Sequence, residues 1–291
     1  MKHDKIARKY PQDHYRFPED HLLIDIEIDA MADAIYRYHG FDFRHYARES
    51  MRRRIFNLLE IEGLPTISSL QNKILHDMEH MERFLLAMSI NVTSMFRDPD
   101  MFYFFRETVI PILRTYPSIR IWHAGCASGE EVYSLAILLE EEHLAEKAKI
   151  YATDINEVAI KKASQGIYPN NSTQEFTDNY LAAGGKKIFS QYYQASYDSV
   201  IFKSYLRDKV VFARHNLVSD ASFNEFNVIF CRNVLIYFNE ELQQKVHRLL
   251  LNSLCRFGIL VLGSSETVEY SEISNHYKVL DSKNGIFQRV V

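Results

Sequence analysis

The chain has 291 residues, 47% hydrophobic and 25% charged: enough for two domains with cores of their own, and too apolar for intrinsic disorder. Thirty-four Lys and Arg against 38 Asp and Glu leave a formal net charge of -4, which excludes a general nucleic-acid binder built on a basic surplus. Three widely spaced cysteines, Cys126, Cys231 and Cys255, exclude a disulfide framework and a CxxC metal site. The opening MKHDKIARKYPQDHYRFPED lacks the apolar stretch of a secretory signal, and nothing approaches the ~18 apolar residues of a membrane span. A cytoplasmic protein with no membrane insertion and no metal is expected.

Residues 1–90 predict a small helical domain. In IDAMADAIYRYHG, apolar Met31, Ala34, Ile35 and Tyr38 keep the spacing of an amphipathic helix stopped by Gly40. FRHYARESMRRRIFNLLEIEG continues helically to Gly63, and ISSLQNKILHDMEHMERFLLAMSI forms a third segment after Pro65. From Pro117 the period changes: IRIWHAGC, KIYATDI, KVVFARHNL, FNVIFCRN and GILVLGSSE are short apolar runs rich in β-branched and aromatic residues. Helical patterns such as EVYSLAILLEEEH, NEVAIKKASQ and NEELQQKVHRLLLNSLCR separate most of them. Residues 91–291 therefore predict an α/β domain with a mainly parallel, doubly wound sheet. A polar, tyrosine-rich insertion interrupts it at about 170–208, and HYKVLDSKNGIFQRVV closes the chain as two strands around Asn284-Gly285.

Strand IRIWHAGC opens through ASGEE into a helix, where a doubly wound fold lets the backbone approach a cofactor. Gly125, Ala127, Ser128 and Gly129 are small enough for that approach. There is no GxGxxG and no GxxxxGK[ST], and Glu130 and Glu131 in the first helical turn would repel a pyrophosphate while suiting the helix dipole. A ligand with hydroxyls or positive charge fits better, although both glutamates could be plain first-turn residues. Asp154 ends the second strand, where a carboxylate accepts ribose hydroxyls or caps the next helix. Loop and acid together point to an adenosine nucleoside without phosphates, with S-adenosylmethionine as the candidate.

INVTSMFRDPDMF, which joins the two halves, carries Asn91, Thr93 and Arg97. FNVIFCRNVLIYF places Arg232, Asn233 and Tyr237 at the carboxyl end of an apolar strand, and Asn216 with Leu217 ends the strand before it. Thr93 as a cap, Arg97 as a solvated charge and Tyr237 as a core aromatic are the plain alternatives.

The order NVTSMFRD, GCASGEE, ATDI, HNL and CRNVLIYF resembles the chemotaxis receptor glutamate O-methyltransferase (CheR-type) family, and AIYRYHGFDFRHYARESMRRRI resembles its helical N-terminal domain. The resemblance implies a Rossmann-like, S-adenosylmethionine-dependent methyltransferase domain with a small all-helical N-terminal domain and an inserted subdomain. It implies S-adenosylhomocysteine as product and glutamates on the cytoplasmic helices of methyl-accepting chemotaxis receptors as substrate. Asn91, Thr93, Arg97, Glu131, Asp154, Asn216, Leu217, Arg232 and Asn233 match cofactor-binding positions, beside loop residues Gly125 and Ala127. Arg97 and Tyr237 match the positions nearest the transferred methyl.

Such a transfer needs alignment rather than a strong base or a metal, because a carboxylate with a pKa of ~4.3 is already ionised. The run Val234-Leu235-Ile236-Tyr237 lacks the prolines of an Asn-Pro-Pro-Tyr loop, which speaks against a nitrogen acceptor. Between Arg37 and Arg54 stand six arginines against Asp42 and Glu49, and Arg44, Arg48 and Arg52 at i, i+4, i+8 would form one helical stripe. With Arg53 they are candidates for docking an acidic receptor helix, a solvated face being the plain alternative. Gly184-Gly185 sits early in a bulky insertion, which favours direct docking over capture of a receptor tether. Two rivals stand beside this reading: a regulatory module that binds S-adenosylmethionine without turnover, and a methyltransferase of some non-chemotactic protein carboxylate.

Overall fold

The computed structural model describes residues 21–88 and 93–291. Tertiary contacts divide it into two units, one built from the residues up to Arg44 with Arg48–Ala87, the other from His45–Ala47 with Met88–Val291.

The first unit holds α1 (His21–His39), α2 (Arg48–Glu62), α3 (Ile67–His76) and α4 (Met78–Met88). Ile24, Ile28, Met31 and Ile35 form the buried stripe of α1. Thr66 and Ser69 close a capping box at the start of α3. The third predicted helix is broken at Asp77, whose extended backbone ends α3 and whose carboxylate accepts the Glu79 N–H at 2.9 Å to start α4.

The expected arginine stripe also changes. Arg44 lies in a turn before α2, so it shares no helical face with Arg48 and Arg52. It makes a two-pronged pair with Asp42 at 2.9 Å and lies over the Tyr36 ring. Arg48 pairs with Asp29 at 2.7 Å, the Arg52 guanidinium meets His21 at 2.8 Å, and Arg53 is exposed.

The second unit opens with α5 (Pro99–Phe104) and α6 (Ile110–Arg114), joined by a π-helical turn at Phe105–Val109. Pro111 explains the widening, since it has no N–H to donate and its ring would crowd the preceding turn. Then follow β1 (Ile119–Ala124), α7 (Glu130–Glu141), β2 (Ala148–Asp154), α8 (Glu157–Gln165), an insertion, β6 (Val210–Arg214), β7 (Phe226–Cys231), α11 (Glu240–Ser253) and β8 (Leu254–Leu262). The hairpin β9 (Tyr277–Asp281) and β10 (Ile286–Arg289) closes the chain, as its Asn-Gly dipeptide predicts.

The main sheet runs β6-β2-β1-β7-β8-β10-β9, parallel from β6 to β8 and antiparallel at β10. Successive β1 residues serve opposite faces: Ile119 and Ile121 join one apolar cluster, Trp122 and Ala124 the other. This is the doubly wound α/β architecture expected from the alternating pattern. The chain winds outward from β1 through β2 to β6, then crosses to β7 on the other side of β1. That reversal opens a crevice beyond the carboxyl ends of β1 and β7.

The insertion forms β3 (Ile167–Pro169), α9 (Thr173–Ala182), β4 (Tyr193–Ser196), β5 (Ser199–Phe202) and α10 (Ser204–Arg207), its strands making a separate antiparallel sheet ordered β3-β5-β4. A buried polar knot ties it to α7. Glu141 accepts from Arg106 at 2.7 Å, the Tyr192 hydroxyl at 2.8 Å, the Lys186 N–H at 3.0 Å and the Tyr180 hydroxyl. Glu142 accepts from Arg106 and Lys186 at 2.6 Å and from Arg114 at 2.8 Å. Burial pushes both carboxyls up, but these donors outweigh it and hold them below their ordinary values.

Glu141→Ala leaves Arg106 with one carboxylate and strands two tyrosine hydroxyls, so denaturant unfolding should report a loss of ~3–5 kcal/mol; a loss under ~1 kcal/mol would contradict the role of the knot. Because the folded carboxyls are the stronger acids, the stabilisation is present at neutral pH and disappears as pH falls below the ordinary carboxylate range.

Candidate active site

Three loops and two strand ends meet at the carboxyl edge of the sheet. The loop between β1 and α7 is pinned to β2: the Gly125 and Cys126 N–H groups donate to the Thr153 carbonyl at 2.8 and 2.9 Å. Asp154 accepts the Ala127 N–H at 2.9 Å through one oxygen and the Asn156 N–H at 2.9 Å through the other. Burial raises the Asp154 carboxyl above its ordinary value against the pull of these N–H groups. Gly125 has φ +81, and a Cβ there would lie 2.5 Å from Val234 Cγ2. The loop after β7 therefore seats directly on the first glycine of the loop after β1.

The centre of the edge is an ion-pair chain. Arg232, whose side chain is 1% exposed, gives one amino group to Glu131 and the other to Asp98. His123 Nδ1 stands 3.5 Å from the second Glu131 oxygen, with its ring stacked on Phe230. Burial would raise the Glu131 carboxyl, but Arg232 and His123 more than reverse this and bring it to about 2. Glu131 thus stays charged at any physiological pH. Its neighbour Glu130 turns inward, accepts the Ser128 hydroxyl at 2.7 Å, and is raised by burial.

The backbone around the site is strained. Of six non-glycine residues with positive φ among those described, Phe96, Asp98, Ala127 and Asn233 lie in these three loops. Phe96 is fully buried against Phe102 and Tyr180, and its N–H donates to the Ser134 hydroxyl at 2.8 Å. That anchor fixes the stretch that carries Arg97 and Asp98.

Asn91 lies outside the described residues. Thr93, Arg97, Asn233 and Tyr237 are half-buried. Asn216 is buried and accepts the Val218 N–H at 2.9 Å, while Leu217 packs in the Trp122 cluster. The Tyr237 carbonyl accepts the Ala47 N–H at 2.8 Å, and Tyr46 forms an antiparallel bridge with Phe238. Gly125, Ala127, Glu131, Asp154, Arg232 and Asn233 thus share one strand edge, whereas Arg44, Arg48, Arg52 and Arg53 belong to or lead into α2.

Three residues that sequence reasoning did not single out as site residues prove structural to the site. Asp98 follows Arg97 directly, and His123 reads as an ordinary strand residue. Glu266, in the loop after β8, accepts N–H groups from Asn233 and Val234 at 2.8 Å, Leu235 at 2.7 Å, Ile236 at 3.3 Å and Gly263 at 2.6 Å. Its only signal was an acid after the glycine that ends an apolar strand.

The donor set suits an adenosine ligand without phosphates. The loop after β1 offers small residues, carboxylates flank it at Glu131 and Asp154, and the guanidinium of Arg232 is already paired twice. A polyphosphate would meet acids here, whereas hydroxyls and a positive centre would meet acceptors. Comparison with known proteins agrees: the CheR methyltransferase SAM binding domain matches residues 91–286, and the CheR methyltransferase all-alpha domain matches residues 26–89.

The chain belongs to the CheR methyltransferase family.

Among CheR relatives, Cher3 of Pseudomonas putida is 47% identical over 265 residues, covering 91% of this chain and 97% of that protein. A chemotaxis protein methyltransferase of Listeria innocua is 30% identical over 251 residues, covering 85% and 93% of the two chains. Chemotaxis protein methyltransferase 1 of Pseudomonas aeruginosa is 29% identical over 252 residues, covering 81% and 87%. The CheR match spans both halves of the sequence, as the motif order predicted. No helix among the described residues is long and apolar enough to cross a membrane.

Gly125→Ala forces an L-residue into the left-handed region and drives its methyl into Val234. Calorimetric titration should show S-adenosylhomocysteine affinity reduced ~10-fold or more, with the far-ultraviolet spectrum unchanged; wild-type affinity would contradict the seating of the two loops.

Proposed function

We propose that the protein is a protein-glutamate O-methyltransferase that transfers a methyl group from S-adenosylmethionine to glutamate carboxylates on chemoreceptor signalling helices, leaving S-adenosylhomocysteine and using no metal. The observation that carries this reading is the acid-rich edge, in which Asp154 and the Arg232-paired Glu131 frame a loop of small residues. Asp154 would take ribose hydroxyls, and Glu131, rather than the inward-turned Glu130, would face the positive part of the donor. Gly125 and Ala127 would allow close backbone approach. Asn91, Thr93, Arg97, Asn216, Leu217, Arg232 and Asn233 would complete the cradle.

S-adenosylmethionine, when bound, supplies a methyl group already activated on a sulfonium sulfur. The acceptor glutamate is ionised at neutral pH, so the protein need not remove a proton. Its task is alignment, which can contribute ~7–11 kcal/mol. Arg97 would hold the acceptor carboxylate by charge-assisted hydrogen bonds, and the Tyr237 hydroxyl would set its approach. The chemistry gives His123 no role as a base; it braces Glu131 instead.

Docking of the receptor belongs, on this reading, to α2 with the turn before it. Arg53 is exposed, and the Arg48–Asp29 pair joins side chains that are 42% and 62% exposed. Such surface pairs contribute only ~0–1 kcal/mol, so Arg48 could exchange its partner for a receptor carboxylate at small cost, with Arg44, Arg52 and Arg53 beside it.

Methyl-labelled S-adenosylmethionine, incubated with the protein and the cytoplasmic domain of a cognate receptor, should yield base-labile methyl esters on glutamate. Tyr237→Phe should lower kcat ~10- to 100-fold with S-adenosylhomocysteine affinity nearly unchanged. Label that resists base, or transfer to nitrogen, would overturn the assignment.

A further inference from the structure

We propose that Glu266 is a positioning residue of the methyl-transfer site, its buried carboxylate fixing the Asn233–Ile236 turn that presents Tyr237 to the acceptor. The inference rests on the functional reading above and extends it to a residue outside the donor and acceptor contacts.

The turn has an unusual way of satisfying its backbone. Asn233 is left-handed at φ 57, and the 3-10 turn Leu235–Tyr237 follows. Four successive N–H groups, from Asn233 to Ile236, converge on one carboxylate from the next loop. Converging amides of this kind form an anion-binding nest, and here the anion is part of the protein. The fifth donor, Gly263, closes the nest at 2.6 Å. A Cβ on Gly263 would lie 2.7 Å from the Glu266 carboxylate and 3.0 Å from the Asn233 nitrogen, so the approach depends on glycine there.

Packing alone does not explain how the turn is held. Its outer side borders a groove of about 270 Å3 lined by Leu235, Ile236, Gln243, Glu266 and Tyr270. Its inner side bears on the donor loop through Val234 and Gly125. The Ala47 N–H fixes the Tyr237 carbonyl and the Gln243 side-chain amide fixes those of Leu235 and Phe238 at 3.0 Å, but the four amides from Asn233 to Ile236 are left to Glu266. Loss of the carboxylate frees those amides and lets the turn shift between donor loop and groove. A 1 Å displacement of an aligning group can cost ~100-fold in rate.

Glu266→Gln keeps the shape, removes the charge and turns an amino group toward the donors. In the full-length protein, ester formation on a receptor cytoplasmic domain is expected to fall in kcat by ~10- to 100-fold. S-adenosylhomocysteine affinity should fall less than kcat, because Asp154 at the end of β2 and Glu131 on the first turn of α7 keep their own anchors when Asn233 and Val234 loosen. Hydrogen exchange should accelerate at residues 233–236 while unfolding stays cooperative. An unchanged kcat, or parallel losses of kcat, affinity and melting temperature, would overturn the role. Should the variant not fold, exchange in the ligand-free wild type decides: protected amides at 233–236 are expected, and unprotected ones overturn the proposal. A wild-type protein that forms no ester overturns the functional reading itself, whereas ester formation with an unaffected Glu266→Gln variant overturns this role alone.

Discussion

Arg232 is a guanidinium removed almost wholly from water, and the organisation of the active edge follows from that one constraint. A buried cation left unpaired would cost several kcal/mol, so it must find carboxylates. It finds Glu131 on the first turn of α7 and Asp98 just before α5, while its own backbone ends β7. Three segments distant in sequence are thereby locked together at the crevice where the strand order reverses. The same contact keeps Glu131 ionised, and His123 braces it from β1. A carboxylate that cannot take up a proton near neutrality is a permanent acceptor at that edge.

The locked segments carry strain that a freely folding loop would release. Phe96, Asp98, Ala127 and Asn233 take left-handed backbone conformations that cost bulky residues ~1–2 kcal/mol. The surrounding structure supports each one: Phe96 through its aromatic pocket, Asp98 through Arg232, Ala127 through Asp154, and Asn233 through Glu266. Rigidity at this edge suits the proposed methyl transfer, in which proton transfer would play no part and alignment would be the main contribution of the protein.

Much of this was legible in the sequence, and the reasons are physical. Alternating β-branched strands and amphipathic helices specify the doubly wound sheet, because burial on two faces demands that pattern. Gly125, Asp154 and Arg232 stand at strand ends and Glu131 opens the helix after the first of them, where position alone suggests a site. Other features depend on long-range geometry that no local pattern encodes. Glu266 reads as any acid in a serine-rich loop until four amides from another loop meet it. Asp77 divides a helix whose apolar spacing runs on without a break. Arg44 has the right spacing for a helical stripe, but its pair with Asp42 holds it in a turn. The knot of Arg106, Glu141 and Glu142 joins α7 to an insertion that sequence alone shows only as a polar interruption.

The most direct test compares S-adenosylhomocysteine titrations of the wild type and the Arg232→Leu variant by calorimetry. One-to-one binding by the wild type and its loss in a variant that retains the far-ultraviolet spectrum are expected if the guanidinium assembles the donor site. No heat from the wild type, or undiminished affinity in the variant, would contradict the account.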